Sequence, residues 1–388
     1  MNVAAVPEYV VKGAAGFRSC PPGHRFNLYF EIWQEGNWLI AKNGKAEALR
    51  QCLALGDAQP VLKALRRRQD AVARTVPEVQ RHIIDAVSTA PFATGLGLEH
   101  PVDNGFAFLS PYGLPYLAGS GVKGVLRQAA NALRDDGDAA ITQPLIDALF
   151  GQELQGADAL RGALSCWDVF PQPFGDSLVV EIMTPHFGDY YQNKGTPHDA
   201  GKPNPIPFLA VPARSAFRFV VTCDPARLPA DTPDWKATLD RIIEHAFAWL
   251  GFGAKTAVGY GALAEDPAAA DERRRIAEQE RRQAAEAAEA ARRENLSPEE
   301  KELEAARSAI DALRSAFESA KAAGKYLAGR SPIDEPRLQL FQQAVQWKTH
   351  AARREAAALL REVIKWTAWP GNKERKQQFQ TWLTELES

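Results

Sequence analysis

A chain of 388 residues with 46 basic and 48 acidic side chains carries a net charge of −2 and has room for two or three ordinary domains. Hydrophobic residues make up 45% and charged residues 24%, the balance of a soluble protein with a real core. Global disorder, a collagen-like repeat and a disulfide scaffold are thereby excluded. No apolar run approaches the roughly 18–20 residues that span a bilayer. The N-terminal stretch lacks a basic segment followed by an apolar one, so no secretory signal is expected. Cys20, Cys52, Cys166 and Cys223 lie far apart and form no CxxC pair, which predicts free thiols in a reducing cytoplasm.

The charge is unevenly spread. Residues 1–265 hold 24 basic and 27 acidic side chains, residues 266–324 hold 11 and 14, and residues 325–388 hold 11 and 7. No part has the strongly basic balance of a free-standing nucleic-acid binder. Contact with RNA or DNA would have to run through local loops or inside a larger assembly.

In chain order, a strand is expected over 25–32, then helices over 46–55, 60–74, 78–88 and 122–133. Strands are expected over 162–170, 178–183 and 215–222, and a helix over 235–250. In 215–222, Phe217, Phe219 and Val221 alternate with Arg218, Val220 and Thr222, the period of a strand. Strands interspersed with helices and Gly/Pro-rich loops make 1–265 an α+β domain. From 268 to 295 there is no Gly or Pro, and Ala, Glu and Arg dominate. Glu278/Arg282 and Glu289/Arg293 are spaced i,i+4 with the acid N-terminal, the favourable order on a helix. Ile276 is the one large apolar residue before Leu296, so this helix has no seam to bury. It is expected to be a solvated spacer, ~42 Å long at 1.5 Å per residue.

Ser297, Pro298 and Glu300 then form an N-cap, N1 and N3 set that restarts the helix. Leu303, Ala306, Ile310, Leu313 and Phe317 give it a face to bury, and Gly324 and 329–336 end it. The charged spacer thus spans 266–324 and a basic, Trp-containing helical tail spans 325–388. In the tail Phe379, Trp382, Leu383 and Leu386 share one face, with Trp347, Trp366 and Trp369 upstream and Lys373, Arg375 and Lys376 beside them. Aromatic stripes at helical spacing form a core more often than a nucleic-acid surface.

Two glycine-rich segments carry chemistry. In 119–127, Gly119, Gly121 and Gly124 spell GxGxxG ahead of a helix, with Ser120, Lys123 and Arg127 interleaved. Glycines admit close backbone approach, and free amides at a helix start face an anion. Cations near that end oppose the macrodipole unless an anion compensates, so the pattern fits a phosphate. A dinucleotide fold is disfavoured, because Pro115 interrupts the preceding strand and no βαβ run surrounds it. In 251–261 the spelling is GΦGxxxxxGΦG: Gly251, Gly253, Gly259 and Gly261 flank Phe252, Lys255 and Tyr260. Lys255-Thr256 does not complete a P-loop. Two Gly-aromatic-Gly steps around a lysine offer backbone approach and a stacking face together.

On these residues the chain resembles the RAMP superfamily of CRISPR proteins, whose mark is a C-terminal glycine loop of this form. More narrowly it resembles the sixth-subunit family of Cmr (type III-B) effector complexes. The resemblance runs through 95–100, 104–106, 112–116, 119–127, 149–151, 168–171, 181–186, 190–191, 205–208 and 251–261, with weaker support from 25–33. It covers about residues 80–265 and nothing after Asp266. Ala118 and Gly121 stand where the family usually has Pro and Ser, and Glu181 where Asp is commoner. The resemblance implies a ferredoxin-like (RRM-like) core whose glycine loop packs beside the guide RNA. It also implies a place at the end of the effector filament, on the 3′ part of the guide. Target slicing in such complexes belongs to a repeated backbone subunit, and no residue here maps onto that role.

A nuclease is the rival expectation. His186, Asp189, His198 and Asp199 share a Gly/Pro-rich segment in which Thr-Pro-His occurs twice. Such a set could ligate a metal or work as general acid and base, yet its spacing matches no closed metal motif. An RNA- or subunit-contacting loop is favoured, with His186, Tyr190 and Tyr191 as contacts and Lys194 on a phosphate. His24, His82, His100, His245 and His350 are expected to be structural. The expectation is a non-catalytic, cytoplasmic subunit of an antiviral ribonucleoprotein with no metal or cofactor. Its partners would be guide RNA (crRNA), target RNA and neighbouring type III-B subunits, with no membrane.

Overall fold

The computed structural model describes residues 2–7, 9–10, 17–40, 44–152, 160–184, 190, 193, 195–196, 205–229, 232, 234–322, 333–366 and 373–388. Two compact units make up the chain, Met1–Arg274 and Arg275–Ser388. Among the described residues no helix is long and apolar enough to cross a membrane. The four cysteines are free thiols, and burial pushes Cys52 and Cys166 up to about 12.

The first unit is built on a four-stranded antiparallel sheet. Its strands lie in the order Leu263–Glu265, Arg81–Ser88, Ala216–Cys223, Leu164–Cys166. Helix Gly119–Asp135 falls between the first two of these strands along the chain, and helix Trp235–His245 between the last two. One sheet face is apolar: Phe217, Phe219 and Val221 share a buried core with Val122 and Leu126 of one helix and Leu239 and Ile242 of the other. Phe219 meets Phe247 and Phe252 at ring-centroid distances of 5.5 and 5.2 Å.

The opposite face is held by charge. Arg218 lies across from Asp85 in the strand register and donates to it through Nε at 2.6 Å. The second Asp85 oxygen accepts from Arg273 Nε at 2.7 Å. Arg218 also binds both oxygens of Asp70, at 2.9 and 2.7 Å, on helix Ala58–Thr75. Burial lowers the pKa of Arg218, and its two carboxylate partners more than restore it, so the net shift is upward.

Two expectations are corrected here. Residues 78–88 were expected to be helical, yet Arg81–Ser88 is a central strand. Ile84, Asp85, Ala86 and Ser88 are all buried, and a strand covered on both faces loses the alternation that marks it in sequence. The strand expected over 25–32 begins only at Glu31, because Pro22–Asn27 is a helix with Pro in its first turn. Phe26 and Phe30 are both buried and meet at 5.7 Å, so the apolar spacing there is four, not two. The strand expected over 162–170 shortens to Leu164–Cys166. The helices expected over 60–74, 122–133 and 235–250 and the strands over 178–183 and 215–222 lie close to their expected places, whereas the helix expected over 46–55 ends at Arg50, and helix Gln143–Phe150 and strands Ile206–Ala210 and Leu263–Glu265 were not expected.

Pro267–Asn295 is one continuous helix with no buried residue, stabilised by pairs such as Glu289–Arg293 at 2.8 Å. Arg282 bonds to Glu286 rather than to Glu278. The capping box at 297–300 is present: the Ser297 amide donates to Glu300 at 2.8 Å, and the Glu300 amide to Ser297 Oγ at 3.2 Å. In the second unit, Ala306, Ile310, Leu313 and Phe317 pack with Leu340, Phe341, Leu360 and Val363. Trp347 is buried in that core, and Trp382 stacks on Phe341 with centroids 3.7 Å apart. Trp347 is a core residue and Trp382 packs, partly buried, against that core; Trp369 and the side chain of Trp366 lie outside the described residues.

The Asp85 side chain is only 3% exposed, and removing it takes the carboxylate from Arg273 and leaves Arg218 with Asp70 alone. Asp85→Ala is expected to cost about 3–5 kcal/mol, as for other broken buried ion pairs. Urea unfolding of the full chain measures this, and a loss under 1 kcal/mol would show that the network is not structural.

Candidate nucleic-acid interface

The second glycine segment is a closed loop following helix Trp235–His245 and its π-type last turn, Ala246–Leu250. Gly251, Gly253, Gly259 and Gly261 all have positive φ, at 69°, 88°, 93° and 71°, a region that favours glycine. Two of them are also sterically required. A Cβ on Gly253 would lie 2.2 Å from the Ala93 carbonyl oxygen, and one on Gly261 would lie 1.8 Å from that of Phe252. Phe252 is buried against the sheet, and its amide donates to the Gly261 carbonyl at 2.9 Å. The Ala254 amide donates to Ala93 at 2.7 Å, and that of Gly261 to Pro91 at 2.8 Å. The loop is thereby pinned to segment 91–93 while its crown stays outside.

On that crown, Lys255 adopts φ 62° and reaches over the hairpin Val179–Met183/Ile206–Ala210. Its ammonium donates to Met183 Sδ at 3.1 Å and lies 5.5 Å from the Phe208 ring centre. No carboxylate among the described residues pairs with it. Tyr260 packs on Phe208 at 5.7 Å and donates its hydroxyl to Glu181 at 2.9 Å. Burial, and then Glu181, push that phenol up to about 12, so Tyr260 is a neutral donor at physiological pH. Val258 on the crown and Trp249 just before the loop are 73% and 79% exposed. Neither was singled out in the sequence. The one local signal for Trp249 is its place at the end of an amphipathic helix, where a π turn commonly accompanies function.

The first glycine segment is the start of a helix rather than a separate loop. Gly119 opens Gly119–Asp135, where a Cβ would lie 2.2 Å from the Cys166 carbonyl oxygen. Its amide already has an anionic acceptor, Asp168 Oδ1 at 2.7 Å. The amides of Ser120 and Gly121 have no acceptor among the described residues, and both residues are exposed with Gly124. Lys123 turns inward: its ammonium donates to the Leu164 carbonyl at 2.9 Å, and burial lowers its pKa. Arg127, half-buried one turn later, pairs with no acid among the described residues. The two glycine segments are anchored to different parts of the sheet, and the roles of Asp168 and Glu181 as their partners are evident only in three dimensions.

Tyr190 is exposed. His186, Asp189, Tyr191, Lys194, His198 and Asp199 lie outside the described residues. Among the described residues no group of three His, Cys, Asp or Glu side chains could hold a metal ion. The structural expectation for the histidines fits His100, which stacks on Phe26 at 3.7 Å, and His82, bonded to Asp240 at 2.5 Å.

The RAMP superfamily model matches residues 86–264, a span that includes both crossover helices and both glycine segments. Over this span the chain is RAMP-like. The chain is similar to the CRISPR system Cmr subunit Cmr6 of Pyrococcus furiosus, 27% identical over 227 residues, or 44% of this chain and 64% of that protein. It is also similar to Cmr6 of Saccharolobus solfataricus, 26% identical over 159 residues, or 41% of this chain and 47% of that protein. It thus spans less than two thirds of the length of either curated relative. Among solved structures it is similar to a chain of the type III-B Cmr-beta complex bound to cognate target RNA. That match has 18% identity and a TM-score of 0.40, over 57% of this chain and 69% of that one. The crystal structure of Pyrococcus furiosus Cmr6 matches with 24% identity and a TM-score of 0.28, over 48% and 98%. The RAMP-like span is Cmr6-like by its sequence relatives.

The steric contrast within the second glycine loop is directly measurable. Gly259 faces open space, so Gly259→Val should cost only the positive-φ penalty, roughly 1–2 kcal/mol. Gly261→Val adds a backbone collision and should destabilise by more than about 4 kcal/mol. Equal melting temperatures for the two variants would refute the packing described for Gly261.

Proposed function

We propose that this chain is a non-catalytic, guide-RNA-binding end subunit of a cytoplasmic type III-B CRISPR ribonucleoprotein in antiviral defence. It would contact the 3′ part of the guide, target RNA and neighbouring subunits. The observation that carries this reading is the crown of the second glycine loop. There a lysine with no carboxylate partner among the described residues stands beside the neutral Tyr260 donor, with Trp249 and Val258 exposed at the loop, in a RAMP-like span whose curated relatives are Cmr6 subunits. We also take the sheet to be the ferredoxin-like core expected of a RAMP domain. Strand order 4-1-3-2 along the chain, with helix Gly119–Asp135 in the first crossover and helix Trp235–His245 in the second, supports that reading.

A guide changes its sequence while its handler does not, so affinity would rest on phosphate contacts rather than base edges. Lys255 supplies the charge for one such contact, and the exposed amides of Ser120 and Gly121 with Arg127 supply donors for a second. Lys123 contributes by holding the helix start against the sheet. The near-neutral charge of the chain fits a groove completed by other subunits.

In the smallest complex that still binds RNA, Lys255→Ala is expected to weaken binding almost equally for every guide. It should also reduce the salt slope of log K by roughly 0.7, the value for one phosphate of a single strand. An unchanged affinity and slope, with a lower melting temperature, would assign Lys255 to the fold alone.

The isolated chain is expected not to cleave RNA in Mg²⁺ or Mn²⁺. Specific cleavage abolished by His186→Ala or Asp189→Ala would replace the binding reading with the nuclease one.

A further inference from the structure

Ahead of the RAMP-like span, the N-terminal part of the first unit encloses a cavity of about 360 Å³ walled by Phe17, Arg18, Arg25, Tyr29, Glu31 and Cys52. Arg25 is only 6% exposed. Its two terminal nitrogens donate to the Gln51 and Ala54 carbonyls, while its Nε–H finds no acceptor. Among the described residues no carboxylate pairs with it. Burial draws its pKa downward. The neighbouring Cys52 thiol is held at about 12 by the same burial, so it stays neutral and is no counter-ion.

Buried donors in native proteins are nearly always satisfied, and buried charges are paired. A fixed guanidinium with one unsatisfied N–H at the wall of a cavity therefore calls for an anion, and guanidinium geometry suits phosphate above all. Arg18, exposed on the same wall, adds a second cation. The wall also carries a flat aromatic surface. Phe17 and Tyr29 stack with centroids 4.1 Å apart and planes 1° from parallel. Glu31 supplies an acceptor on the remaining side. A simple acidic ligand would satisfy the arginines and leave the stack and Glu31 unused. The volume lies at the small end of ligand pockets, roughly 300–1,000 Å³, a size suited to one nucleotide.

We infer that this cavity is a nucleoside-phosphate site, with the phosphate on Arg18 and Arg25, the base extending the Phe17–Tyr29 stack, and Glu31 accepting from a base amine. A free mononucleotide and one nucleotide of an RNA strand present the same chemistry. The site is separate from the glycine-loop crown and does not depend on the reading of that loop.

The test is calorimetric titration of the full chain with adenosine and guanosine 5′-monophosphate, inorganic phosphate, and a 5′-phosphorylated RNA decamer. At least one monophosphate or the decamer should bind. Arg18→Ala and Tyr29→Ala should each weaken that binding at least tenfold without moving the melting temperature. Inorganic phosphate should bind at least tenfold more weakly than the preferred probe. Binding of a monophosphate identifies a free nucleotide as the ligand, and binding of the decamer alone identifies RNA. Because Arg25 also holds the 51–54 turn, Arg25→Lys serves as a supporting variant only. The inference is overturned if neither probe binds, if both variants leave binding unchanged, or if inorganic phosphate binds as tightly. Decamer binding lost in Lys255→Ala but kept in Arg18→Ala would count for the loop and against this cavity.

Discussion

Four charged side chains on one face of the sheet determine much of what the first unit can be. Asp85 and Arg218 sit opposite each other on the two central strands, Asp70 reaches in from helix Ala58–Thr75, and Arg273 from the first turns of the long helix. A carboxylate this deep is tolerated only when its oxygens are occupied and the geometry is good. The network therefore fixes which residues of the two strands are paired. It also specifies which helix covers the polar face, leaving the apolar face to the two crossover helices. Slipping either strand by one residue would carry a charge into the phenylalanine core.

That arrangement positions the loops. The apolar face holds Phe219, on which Phe252 packs, and Phe252 is the buried residue of the first Gly-aromatic-Gly step. The second aromatic, Tyr260, goes the other way, onto Phe208 and Glu181 of the hairpin. The two aromatics of the repeat thus have unlike tasks: one is an anchor, the other part of the surface. At the other glycine segment Asp168 takes the Gly119 amide, and the helix start keeps two exposed donors beside it.

Much of this was legible in the chain. The glycine spacing, the long charged helix after Asp266, the capping box at Ser297 and the face of Leu303 to Phe317 depend on local pattern, and local pattern is what a sequence displays. What was not legible depends on distant partners. Residues 81–88 look helical because burial on both faces erases alternation, and only Arg218, far along the chain, explains an aspartate in that strand. Lys123 and Lys255 look equivalent as basic residues among glycines. One is drawn to a backbone carbonyl of the sheet edge and the other is left over an aromatic ring, a difference set by which elements lie underneath.

Lys255 is held in a left-handed backbone conformation that a lysine does not favour. The strain is roughly 1–2 kcal/mol relative to glycine, and a glycine or asparagine would sit there more comfortably. The loop has glycine at four neighbouring positions of the same handedness and lysine at this one. Glycine or asparagine at 255 would relieve the backbone strain, but a substitution that stabilises the loop in this way would remove its only charge. Thermal robustness and cationic character are opposed at this position, and a screen for more stable variants of this chain would select against the ammonium group.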